Sequence, residues 1–262
     1  MMVFRHEVKQ NYKTLFIWSL IVGGLIFLFM IMYSSLQGDI EKMADTYANM
    51  GSMTAAFGMD KITIATPMGF YGIEAGAMLS ICGSMFGAMT GISVLSKEEH
   101  NHTAEFLLTH PIGRVRAASE KLLFVIVQVI VFNLICLGFA AVSFAAIGED
   151  IAGKPFLLFH LAQFCMHLEI ACICFAFSAF SRRQNTGTGL GFAAILYFLS
   201  LMYNITESAK YLKYVTPFVY SDAGSVMSEE AIDMKLLGIG IGVSVICIAV
   251  GLLKYQKKDI AA

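Results

Sequence analysis

A chain of 262 residues that is 57% hydrophobic and 14% charged falls well short of the roughly 25% charged residues of a soluble domain. The deficit is accounted for if about half of the chain lies in a bilayer. A net charge of −1 gives no global field to attract nucleic acid. Cys82, Cys136, Cys165, Cys172, Cys174 and Cys247 all fall inside apolar runs, which reads as small buried hydrophobes rather than a disulfide framework or a zinc site.

Six runs are long enough to cross a hydrocarbon core of roughly 30 Å, which takes about 20 helical residues. They are Leu15–Tyr33, Phe70–Leu95, Leu122–Ile147, Phe156–Phe180, Thr188–Tyr203 and Leu236–Leu253. The predicted fold is therefore an all-α membrane protein, one transmembrane domain over residues 1–262. Met1–Lys13 is charged and no small-residue cleavage site follows the first run, so that run reads as a retained span.

Between the first two spans, Met43, Tyr47, Met50, Thr54 and Phe57 recur at helical spacing and predict an amphipathic helix at the outer interface. The second span carries Gly83, Gly87 and Gly91 four apart, a spacing that lets two helix backbones approach closely, within the subunit or across a dimer. Gly187 and Gly191 in the fifth span, and Gly238 and Gly242 in the sixth, repeat the spacing.

The polar interruption Lys97–Lys121 separates the second and third spans. Ser96 followed by Glu99 fits a capping box. Ala104, Leu107 and Leu108 fall on one face of a short helix over Thr103–Thr109. Pro111 ends it and Gly113 starts the next helix, which carries Arg114 and Arg116 toward Lys121. A helix this short is not stable alone and needs a surface to pack on, either the inner membrane face or a partner's groove.

Further along, residues 148–155 (GEDIAGKP) match seven positions of a phosphate-binding loop, but Pro155 replaces the magnesium-ligating hydroxyl and the segment is a short outer loop. No other nucleotide loop is found, and no metal-ligand spacing or nucleophile–base pair supports catalysis. Glu169 and His167 in the fourth span, and Glu74 near the outer end of the second, are costly in a bilayer and count as functional candidates. Positions i and i+2 face different sides of a helix, so Glu169 and His167 are poorly placed for direct proton transfer. An uncharged Glu169 bonded to a neighbouring helix, or one lining a wet cavity, is the preferred reading. Before the last span, YLKYVTPFVY places Pro217 in an aromatic run expected at headgroup depth, as belt residues.

Twelve of the eighteen Lys and Arg fall in the N-terminus, the 96–121 loop, Arg182–Arg183 and the C-terminus. An even number of spans puts both termini on one side, and the bias makes that side cytoplasmic.

The loop resembles that of ABC-2-type permeases, the membrane subunits of ABC exporters. Their pattern, E-x-x-x-G-T-x-E-x-L-L-x-x-P-[IV]-[ST]-R with a later Lys, is met by Glu99, Thr103, Glu105, Leu107, Leu108, Pro111, Ile112, Arg114 and Lys121. His102 stands where the family usually has Gly, and Gly113 where it has Ser or Thr. Phe4, Val8 and Tyr12 look like the family's N-terminal connecting helix, and YQKKDI is similar to its usual ending. The resemblance implies a permease in a bacterial plasma membrane, without an ATPase or bound cofactor of its own. Two such subunits, identical or different, would pair with separate ATP-binding subunits. Residues around Thr103–Thr109 would form the coupling helix, with Glu99 and Arg114 beside it. The alternative is an ATPase-independent secondary transporter or channel using Glu169 and His167, against which no inverted repeat or broken helix is seen. Few fixed charges in the spans suit a lipid, hydrophobic drug or amphipathic peptide as substrate.

Overall fold

Long apolar stretches without helix breakers yield long helices, and a computed structural model describes residues 2–48, 51–101 and 113–258. The described residues contain helices and no strands. Six helices are long and apolar enough to cross a membrane. We label the helices α1 (Met2–Ala48), α2 (Ser52–Ala56), α3 (Pro67–Ser93), α4 (Lys97–His100), α5 (Arg114–Ile147), α6 (Gly153–Phe180), α7 (Thr186–Ile205), α8 (Ala223–Glu229) and α9 (Met234–Lys257).

The amphipathic N-terminus and the first span form one continuous helix, not a connecting helix followed by a span. Its buried stripe is Val3, Glu7, Leu15, Val22, Ile26, Met30 and Tyr33, at the spacing of one helical face. Phe16, Leu20, Ile21 and Leu28 cover the opposite face, where lipid is the solvent. Tyr12, on the predicted N-terminal amphipathic segment, is exposed. α1 also runs well past Tyr33, to Ala48, and Gly51 has a φ of 61° that suits glycine. The predicted separate interfacial helix around 43–57 is thus replaced by the end of α1 and the short α2; Met50 lies outside the described residues.

Local chemistry sets several helix ends. Thr66 accepts from Gly69 N at 3.1 Å, with Pro67 in the first helical position of α3. A π-helical turn, Tyr71–Ala75, interrupts α3 and contains Glu74. Gly113 caps α5, and Gly148 ends it in the left-handed region at φ 74°. Asp233 caps α9 by accepting from the backbone N–H groups of Lys235 and Leu236. Ser96 precedes α4 but makes no side-chain cap bond, so the expected capping box is not formed; its hydroxyl turns back to Ser93 O at 3.5 Å.

α3 and α6 lie at the centre, with α1 packed on α5, α9 on α6 and α7 on α3. Gly83, Gly87 and Gly91 face α6 inside the same subunit. A Cβ on Gly87 would stand 2.8 Å from His167 O, and one on Gly91 would overlap Ala171 O. These are backbone atoms that cannot step aside, so the two helices touch main chain to main chain. Gly187, Gly191, Gly238 and Gly242 make no such approach; their neighbours Gly189 and Gly240 do, against Ala88 O and the Glu169 carboxylate. Gly91→Val is expected to cost about 1–3 kcal/mol in thermal unfolding. Gly24→Val, in open space on α1, should change it by less than about 0.5 kcal/mol.

The segment between α7 and α9 turns into the bundle. After a 3-10 turn, Glu207–Tyr214, the Thr216 hydroxyl donates to Leu196 O at 2.8 Å. Leu196 lies about 14 Å of helical rise inside the outer end of α7. Gln163 Nε2 donates to Ser221 O at 2.9 Å, which fixes the returning limb. Tyr211 and Tyr214 remain exposed as belt residues would, but Phe218 and Tyr220 are buried. Non-helical backbone at this depth needs internal partners, and Thr216 and Gln163 supply them. At this end of the bundle, Lys61 pairs with Asp222 at 3.3 Å and Asn204 donates to Ala56 O at 3.2 Å, closing a cap over it.

Candidate functional site

Four segments meet at one end of the helix bundle: the start of α1, the α3–α4 junction, the start of α5 and the residues after α9. Glu7 holds its carboxylate in register with the apolar stripe of α1, so helix packing carries it inward. Lys121 is fully buried about two turns into α5. Its ammonium donates to Val94 O at 2.6 Å and to the Glu98 carboxylate, and lies 3.3 Å from Glu7 Oε1. Three N–H groups thus face three acceptors, one from the backbone and two from acids. Lys97 reaches the other Glu7 oxygen and donates to Gln10 Oε1 at 2.9 Å. Glu7 therefore bridges two lysines that flank the 98–120 segment.

A second group of bonds ties in the C-terminal segment. Lys258 Nζ donates to Ser181 O at 2.6 Å and lies 3.0 Å from Glu99 Oε1. Arg114 Nη1 donates to Lys258 O at 2.7 Å. Glu120 accepts from Phe4 N at 3.2 Å and pairs with Arg116 at 3.4 Å. Burying an ion pair yields little net stability, but removing one partner strands the other charge. The cluster therefore acts as a clasp: it makes α1, α4, the base of α5 and the C-terminal segment move together.

Of the residues expected around the coupling helix, Glu99 and Arg114 belong to this clasp. Thr103, Glu105, Leu107, Leu108 and Pro111 lie outside the described residues. Glu7, Lys97, Glu98 and Lys258 were not expected to take part. For Glu7 the signal was present: a carboxylate four residues from Val3 and eight from Leu15, on the stripe that faces the bundle. Lys258 had none, since its partners are 77 and more residues away in sequence.

The intramembrane candidates separate into distinct networks. Glu169 Oε2 accepts from the Tyr220 hydroxyl at 2.9 Å. His167 Nδ1 meets Asn133 Oδ1 at 3.1 Å on α5, and its ring covers Gly83. His160 Nε2 meets the Tyr71 hydroxyl at 2.8 Å. Glu74 sits half-buried in the π turn of α3. Glu169 and His167 have separate partners, and no hydrogen bond among the described residues joins them. Tyr220 and Asn133 as partners were invisible to local pattern, because each contact spans more than thirty residues.

A buried ionic clasp at one end, six apolar helices and a re-entrant segment describe a multi-pass membrane protein. A family model described as ABC-2 family transporter protein matches residues 1–260. No curated protein matched the chain. With nearly its whole length covered by that family, the chain belongs to the ABC-2 family of transporter proteins, as a multi-pass permease.

Proposed function

We propose that this chain is the permease subunit of an ABC exporter, a single membrane unit over residues 1–262 driven by a separate ATP-hydrolysing subunit. The observation that supports this most is the clasp. It anchors both bases of the 102–112 segment to α1 and to the C-terminal segment through Lys97, Glu98, Arg114 and Lys121. A loop fixed in this way passes a push to the helices beneath it, where a free loop would absorb it.

In this reading Thr103, Glu105, Leu107, Leu108 and Pro111 meet the ATPase, and Glu99 and Arg114 hold that contact to the bundle. ATP resides on the partner; the permease binds no cofactor. ATPase closure would press on the loop and tilt α3 and α5. Because α3 packs on α6 and α7, the movement reaches the outer cap. A second permease, identical or different, completes the translocation path. Both termini face the cytoplasm of a bacterial plasma membrane, and the substrate is a lipid, hydrophobic drug or amphipathic peptide.

Affinity capture of the full chain from its native membrane tests the reading. The expected result is a co-purifying ATP-binding subunit, with ATP-dependent transport in vesicles containing both proteins. Transport in vesicles holding the chain alone, driven by an ion gradient without ATP, would overturn it.

A further inference from the structure

Glu169 lies mid-way along α6 and is only 7% exposed. Tyr220 satisfies one of its oxygens at 2.9 Å. No donor to Oε1 is found among the described residues, and Glu169 lines a cavity of about 70 Å³ between α6, α9 and the re-entrant segment. Gly240 makes room for the carboxylate, since a Cβ there would overlap Oε2. Three elements thus converge to hold an acid with one oxygen unused, in a setting where an unsatisfied acceptor is costly.

The surroundings narrow what completes it. Ile239, Tyr214 and Val215 line the cavity and are themselves exposed at bilayer-facing positions, so it opens sideways to lipid rather than to water. Lys213, on the 3-10 turn, lines the same cavity. An occupant therefore arrives from the bilayer, presents a hydrogen-bonding cation to Glu169 and an anion to Lys213. A primary ammonium offers three N–H donors in a compact group; a trimethylammonium offers none.

We propose that this cavity binds the headgroup of a zwitterionic primary-amine phospholipid, with its ammonium on Glu169 and its phosphate on Lys213. The site does not depend on the energy source, and its occupancy is read without ATP or an ATPase.

The test is lipid retention by the purified full chain. It is exchanged into vesicles of equal phosphatidylethanolamine and phosphatidylcholine, and bound lipid is weighed by native mass spectrometry. The two lipids share the phosphate and differ in their N–H donors. Wild type is expected to retain phosphatidylethanolamine with about tenfold preference, the scale of a charged hydrogen bond. Glu169→Gln keeps the side-chain shape and the bond from Tyr220, and should bring that preference close to unity. Lys213→Ala should weaken retention of phosphatidylethanolamine while leaving binding of dodecylamine, which has no phosphate, unchanged. Equal retention of the two lipids by wild type would overturn the proposal without recourse to any variant. Undiminished preference in Glu169→Gln would overturn it as well.

Discussion

Replacing Lys121 with methionine is expected to destabilise the detergent-solubilised chain by about 3–5 kcal/mol, the scale of breaking a buried ion pair from one side. Lys121 is fully buried, and without its ammonium the Glu7 and Glu98 carboxylates face each other with Val94 O beside them. Lys97 still meets Glu7, so Glu98 is the acid left stranded. Removing the stranded charge should therefore recover part of the loss: Lys121→Met with Glu98→Gln is expected to be more stable than Lys121→Met alone. Thermal unfolding followed by size-exclusion chromatography reads both. High salt should rescue neither, because buried pairs are weakly screened. An unchanged midpoint in Lys121→Met would show that the clasp holds nothing.

Leu107→Asp carries the second large effect. If Leu107 seats in an apolar groove of the ATPase, a carboxylate there costs about 2 kcal/mol or more, roughly a thirtyfold loss of affinity. The permease should insert and purify as wild type does, because position 107 lies in the polar loop and not in a span. ATP-driven transport should fall with the loss of association. Normal co-purification together with normal transport would place Leu107 elsewhere than at the partner.

The number of spans was legible because lipid demands long uninterrupted apolar runs, and each of the six produced one helix. Helix ends were less so. Hydropathy marks where the bilayer stops, not where a helix does, and α1 continues beyond Tyr33 to Ala48. The Gly83–Gly87–Gly91 spacing named a close-packing face, but only coordinates say that its neighbour is α6 of the same chain. The similar spacing of Gly238 and Gly242 points into open space, while Gly240 between them meets Glu169. Small residues alone do not tell which side of a helix is covered. The aromatic run around Pro217 looked like a headgroup belt, because its inward turn depends on Thr216 and Gln163 finding backbone partners far along the chain. At the clasp, the family pattern singled out Glu99, Arg114 and Lys121. The acids and bases that answer them, Glu7 and Lys258, come from the two ends of the sequence and carry no local signal of pairing beyond the position of Glu7 on its helix.

The central claim is that the loop between α4 and α5 docks on an ATP-hydrolysing partner. A photoreactive phenylalanine analogue placed at position 107 of the full chain, activated by light in native membranes, tests it most directly. The expected result is a cross-link to an ATP-binding subunit, diminished when Leu108→Asp is introduced beside it. Cross-links to lipid alone would contradict it, and would lay the loop on the inner membrane surface instead.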